Sequence, residues 1–145
     1  MRVVLDTNIL VRAHGRTQTQ ARKLLEELLH RGHDLVTSNE ILAEVTKVLR
    51  YPKFQALYSL TDADLLEYTQ FLQRVSHVVA LDPQYRAPLR DPTDLTVLQT
   101  AELGEADILC THDDDFYDQT ILAYCAARGV EVCNEATLLR RLREG

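Results

Sequence analysis

A chain of 145 residues, 46% of them apolar, is near the modal domain size and leaves no room for a second unit, so we read residues 1–145 as one domain. Its formal charge of −6 excludes a protein that clings to nucleic acid through bulk basicity. A nucleic-acid substrate would have to be held by local Lys and Arg patches and by a metal ion.

The chain opens with Arg2-Val3-Val4-Leu5, a short apolar run expected to be a buried strand that ends at Asp6-Thr7-Asn8. Ala21, Leu24, Leu25, Leu28 and Leu29 then recur at helical spacing and stop near Gly32, a suitable C-cap. A second strand is expected over Asp34–Thr37. Thr37 with Glu40 three residues later has the form of a capping box, and Ile41, Leu42, Val45, Val48 and Leu49 continue it as an amphipathic helix that stops before Pro52. Thr61 and Asp64 repeat the device ahead of Leu65, Leu66, Phe71, Leu72 and Val75. The remaining strands are expected over His77–Leu81, Asp107–Thr111 and Val130–Asn134. Helices are expected from Asp94 to Leu103 with Gly104 closing, from Gln119 to Arg128 with Gly129 closing, and from Glu135 onward. Alternating short strands and longer helices imply βαβ units, hence an α/β fold with a central, mostly parallel sheet of about five strands.

The first strand follows Met1 directly, leaving no room for a cleavable signal, and no apolar run approaches membrane-spanning length. A cytoplasmic protein with no membrane partner is expected. Cys110, Cys125 and Cys133 are odd in number and widely spaced, which fits reduced, buried thiols and no disulfide frame. Of the five histidines only His112 lies beside the acidic cluster Asp113-Asp114-Asp115, and it reads as a loop residue, since hard oxygen-ligated metals do not need imidazole.

Acidic residues fall where strands end. In a parallel sheet those ends share one edge, the usual place for a ligand, and carboxylates gathered there repel one another unless a cation neutralises them. Asp6 sits at the lip of the first strand, where desolvation calls for a cation or several hydrogen bonds, although a solvated turn residue is the bland alternative. Glu44 lies three residues after Ile41 and four before Val48, so its carboxylate runs along the apolar seam of its helix. Glu40, one turn earlier, already has a role in capping. Asp91 and Asp94 flank Pro92-Thr93, where either can cap the following helix; Asp94 is the candidate ligand if other acids converge on it. In His112-Asp113-Asp114-Asp115, Asp113 is nearest the strand end and expected to face inward, Asp115 to assist, and Asp114 to face solvent.

Four segments together resemble the PIN-domain family, particularly its VapC-like toxin group: Asp6-Thr7-Asn8, Ser38 through Val45 on a helix, Asp91-Pro92-Thr93-Asp94 ahead of a helix, and Thr111 through Phe116 after a strand. The resemblance runs through nearly the whole chain in order and spacing. It implies a three-layer α/β sandwich in which Asp6, Glu44, Asp94 and Asp113 form the catalytic, metal-holding site, with Asp115 as an auxiliary metal ligand. It further implies endoribonucleolytic cleavage of RNA with Mg²⁺ or Mn²⁺, homodimerisation, and a small antitoxin as partner. Many relatives carry Gly where this chain has His112, which bears on whether Asp113 or Asp115 is the main fourth acid. The chemistry is coherent, because carboxylate-held divalent ions activate water and neutralise the attacking and leaving oxygens, and oxygen-only ligands suit Mg²⁺ or Mn²⁺ better than Zn²⁺.

Candidate phosphate contacts are Arg12, Arg16, Lys47, Arg50, Lys53, Arg86 and Arg90. A doubly wound phosphatase fits poorly, since it places a second Asp where Asn8 stands, and a receiver-like phosphoacceptor needs a Lys that the Thr111-His112-Asp113 loop lacks. The alternative that keeps every motif is a PIN-like binding module without turnover.

Overall fold

The computed structural model describes residues 1–16 and 18–145. Five parallel strands, β1 (Arg2–Leu5), β2 (Asp34–Thr37), β3 (Ser76–Val78), β4 (Ile108–Cys110) and β5 (Glu131–Cys133), form one sheet in the order β3-β2-β1-β4-β5. Val3, Val4 and Leu5 of the central strand are completely buried, as expected where helices cover both faces of a parallel sheet in a three-layer α/β sandwich. The strand order reverses at β1, which pairs with β2 on one side and with β4 on the other. A crevice therefore opens above the carboxyl ends of β1 and β4.

The helices among the described residues are α1 (Thr7–Arg12), α2 (Gln20–His30), α3 (Asn39–Leu49), α4 (Pro52–Tyr58), α5 (Asp62–Val75), α6 (Pro92–Leu103), α7 (Gln119–Ala126) and α8 (Glu135–Glu144). A 3₁₀ turn spans Asp114–Tyr117. The capping box at Thr61 and Asp64 forms as expected, each side chain bonding the other's backbone N–H. Gly32 takes a left-handed φ of 76° just beyond α2, the conformation that ends helices on glycine.

Several expectations are corrected. The cap of α3 is Ser38, whose Oγ accepts from Ile41 N at 3.3 Å, and not Thr37, which closes β2. This one-residue shift puts Glu40 at the second helical position, out of register for a capping box. β3 covers Ser76–Val78 rather than His77–Leu81, because its only partner ends at Thr37, whose carbonyl receives one last bond from Val79 N. α1 follows Asp6 unannounced by periodicity: Ile9, Leu10 and Val11 are buried in succession, so the short helix lacks an alternation of dry and wet faces. α4 was hidden for the opposite reason, burying no residue at all, although Pro52 is well placed at its first turn.

The candidate metal centre

Asp6 is the N-cap of α1 and only 5% exposed. One carboxylate oxygen accepts from Thr7 N at 2.7 Å and the other from Thr111 Oγ1 at 2.6 Å, while Asp6 N donates to Cys110 O at 3.0 Å. Burial pushes its pKa up and the Asp113 charge adds to this; the Thr111 and Thr7 bonds and nearby His112 work against it. β1 and β4 are neighbours, so the ends bearing Asp6 and Asp113 converge as the sheet argument required.

The two acids ahead of α6 divide their work. Asp91 is the N-cap, accepting from Thr93 N at 2.9 Å and Asp94 N at 3.1 Å. Asp94, relieved of capping, is 6% exposed and hydrogen-bonded to Asp113. Burial, the Asp113 bond, and the charges of Asp113, Asp91 and Asp6 push the Asp94 pKa up to about 8. Two carboxyls in contact thus share a proton when no cation lies between them.

On the other flank, Thr111 Oγ1 accepts from Asp113 N at 3.0 Å, and an Asp113 oxygen accepts from Asp115 N at 2.9 Å. This Asx-type turn folds the acidic run back on itself. Carboxylate oxygens of Asp94, Asp113 and Asp115 consequently lie within 4.8 Å of one another, one residue buried, one half-buried and one exposed. Asp114 is exposed. All three donors are hard oxygens, and Asp94 is held protonated by burial and by the neighbouring carboxylates, which is the donor set and the electrostatic deficit that a divalent cation satisfies.

Glu44 lies outside this group of three. It is half-buried on α3, a helix that packs against both α1, which starts at Asp6, and α6, which carries Asp94. His112 ligates nothing in the cluster: its Nε2 lies 3.1 Å from Glu135. Sequence reasoning missed Glu135, a carboxylate only 1% exposed at the start of α8, which also pairs with Arg12. The signal was an acid directly after a helix cap, Asn134, and such residues are usually solvated. Thr111 was also missed as the residue joining Asp6 to the Asp113 loop; a threonine ending a strand carries no distinguishing mark until its neighbours are known.

The basic residues are more committed than their sequence positions suggested. Arg16 binds Asp64 and the carbonyls of Tyr58 and Ser59, and Arg50 pairs with Asp62. Arg86 is turned onto the carbonyls of Gln84 and Tyr85. Arg90 borders an open groove of about 840 Å³, shared with Asp91, Asp114, Asp115 and Tyr117.

A sequence profile described as the PIN domain matches residues 2–115, the span that holds Asp6, Glu44, Asp94, Asp113 and Asp115. The chain belongs to the PIN-domain family. No curated protein matches this PIN domain in sequence. Among solved structures it is similar to a chain in the crystal structure of VapBC2 from Rickettsia felis bound to a DNA fragment from their promoter, with a TM-score of 0.58 and 16% identity, covering 92% of this chain and 98% of that one. That likeness extends the common fold beyond residue 115, to nearly the full PIN-domain chain.

Proposed function

We propose that this PIN domain is a Mg²⁺- or Mn²⁺-dependent endoribonuclease and the toxin member of a toxin–antitoxin pair. The observation that carries the reading is the meeting of Asp94, Asp113 and Asp115 within 4.8 Å, beside buried Asp6, at the point where the strand order reverses. In this reading Asp6, Asp94 and Asp113 hold the ion, Asp115 assists from the solvent side, and Glu44 completes the catalytic set from the helix adjoining both α1 and α6. When bound, the divalent ion supplies Lewis acidity and neutralises charge building on the phosphate.

The chain's own residues supply order. Thr7 N and Thr111 Oγ1 fix both oxygens of Asp6, so this carboxylate cannot swing away when the substrate arrives. The proton on Asp94 leaves when a cation takes its place, which makes metal affinity rise with pH. RNA, as a polyanion approaching a chain of charge −6, is drawn to the cation and to local arginines rather than to the surface at large. Hydrolysis leaves a 5′-phosphate and a 3′-hydroxyl. In this reading the protein is a cytoplasmic homodimer, and the likeness to a chain in the VapBC2 complex supports a small partner protein that neutralises it.

The test is cleavage of structured and single-stranded RNA by EDTA-stripped protein with and without restored Mn²⁺. Activity is expected to depend on metal and to vanish in Asp6→Asn while the circular dichroism spectrum is kept. Equal cleavage by wild type and Asp6→Asn rejects the assignment. RNA binding with no cleavage under any metal leaves a binding module instead. If no small protein copurifies with the chain or suppresses its activity, the toxin role falls separately.

A further inference from the structure

We propose that Cys110 and Cys133 form a reversible disulfide switch beneath the acid cluster, closed by a peroxide and reopened by a thiol reductant. The two residues are directly paired between β4 and β5. Their Cα atoms are therefore separated by about one strand spacing, roughly 4.8 Å, which falls inside the span a disulfide bridges. Being in register, both side chains leave the same face of the sheet. Both are free, buried thiols. Cys125, on α7, is a buried free thiol outside this pair.

Their pairing makes the two thiols unequal. The neighbouring Cys133, and then burial, push Cys110 above the ordinary thiol range, whereas the neighbouring Cys110 holds Cys133 below it. Cys133 is also the more open of the two, 6% exposed against 0%, and sits on a three-residue strand at the edge of the sheet. Short edge strands open locally at lower cost than central ones, which gives a molecule as small as hydrogen peroxide a route in.

In the reaction the Cys133 sulfur attacks one peroxide oxygen; the O–O bond breaks, and the departing oxygen takes up a proton as water, leaving a sulfenic acid. Cys110 sulfur then attacks the Cys133 sulfur, displacing the hydroxyl, which leaves with the Cys110 proton as a second water. Two thiols have been oxidised by two electrons and one peroxide reduced to two waters. Reduction by an external dithiol reverses the bond.

The site above feels this bond through the backbone. Asp6 N donates to Cys110 O, and Thr111 N donates to Cys133 O at 2.9 Å. Thr111 Oγ1 in turn holds Asp6 and receives Asp113 N. Oxidation replaces two free thiols with a bond that locks both side chains in one geometry, and this constraint on the ends of β4 and β5 passes to Asp6 and Asp113. Closure of the disulfide does not depend on the nuclease reading; its effect on metal and RNA rests on that reading.

The experiment treats the full, folded chain with hydrogen peroxide, then follows intact mass, non-reducing peptide maps and Mn²⁺ binding by calorimetry. Expected are a loss of about 2 Da, a Cys110–Cys133 linked peptide, and Mn²⁺ affinity weakened by roughly tenfold or more, as for other disturbed ligand supports, all restored by dithiothreitol. Cys125→Ala is expected to behave as wild type, while Cys110→Ala and Cys133→Ala lose the effect; either of the latter suffices, provided its circular dichroism is native. No linked peptide from folded protein, a link through Cys125, or a Cys110–Cys133 link with unchanged Mn²⁺ affinity overturns the switch. Reduced wild type that binds no Mn²⁺ defeats the metal reading directly and the switch with it, so the reduced sample separates the two failures.

Discussion

Asp94 shows what it costs to leave the carboxylates together without a cation. Its pKa in the folded protein, about 8, lies well above the roughly 4 of an unfolded aspartate, so the folded chain binds this proton more tightly than the unfolded one does. The stabilising effect is complete below about pH 4 and is lost as pH rises toward 8, the reverse of an ion-paired carboxylate. Metal-free wild type is therefore expected to melt at lower temperature at pH 8 than at pH 5. Asp94→Asn removes one of the repelling charges and is expected to flatten that slope, with a gain on the order of 1 to 2 kcal/mol at pH 8 after discounting for solvent screening. The same substitution should abolish Mn²⁺-dependent cleavage. Thermal melts of both proteins across pH, in EDTA, check the sign; a wild-type melting temperature that climbs from pH 5 to 8 contradicts the assigned proton.

At the scale of elements, what could be read in advance depended on whether an element had two different faces. α2, α3 and α5 are half wet and half dry, and their spacing announced them; α1, buried on most of its surface, and α4, buried nowhere, did not. The candidate site divided similarly. Asp6, Asp94 and Asp113 were legible because each stands beside a strand end or helix start, while Glu135 and Thr111 have partners, Arg12 and Asp6, more than 100 residues away in sequence. Gly104 is a further case of hidden meaning, predicted merely to close α6. A Cβ there would lie 2.6 Å from Val36 Cγ1 and 2.9 Å from Val79 Cγ2, so this glycine lets α6 approach the sheet beside β2 and β3. Gly104→Ala is expected to destabilise by about 1 to 3 kcal/mol, the range for overpacking a core. A urea titration showing no change in midpoint would mean that the two valines yield freely.

For the whole molecule, the acid cluster and the fold are linked thermodynamically. β1, β4, α1 and α6 all terminate or begin at the same crevice, so charge repulsion there opposes the packing of elements from both ends of the chain. A ligand that binds only when those elements are assembled stabilises all of them together. At a concentration 100 times its dissociation constant, a divalent ion contributes about 2.7 kcal/mol, which for a domain of this size is a melting-temperature rise of roughly 5 to 10 °C. The rise should be larger at pH 8 than at pH 5, because at low pH the ion must displace the proton held by Asp94. It should shrink in Asp94→Asn and Asp113→Asn, and be unchanged in Asp114→Asn, whose side chain is exposed and outside the group of three. Differential scanning fluorimetry with Mn²⁺ and Mg²⁺ titrations on these four proteins makes the comparison. Equal shifts in all four would place the ion elsewhere on this acidic surface, and the crevice would lose its claim to be a metal centre even if the chain cleaves RNA.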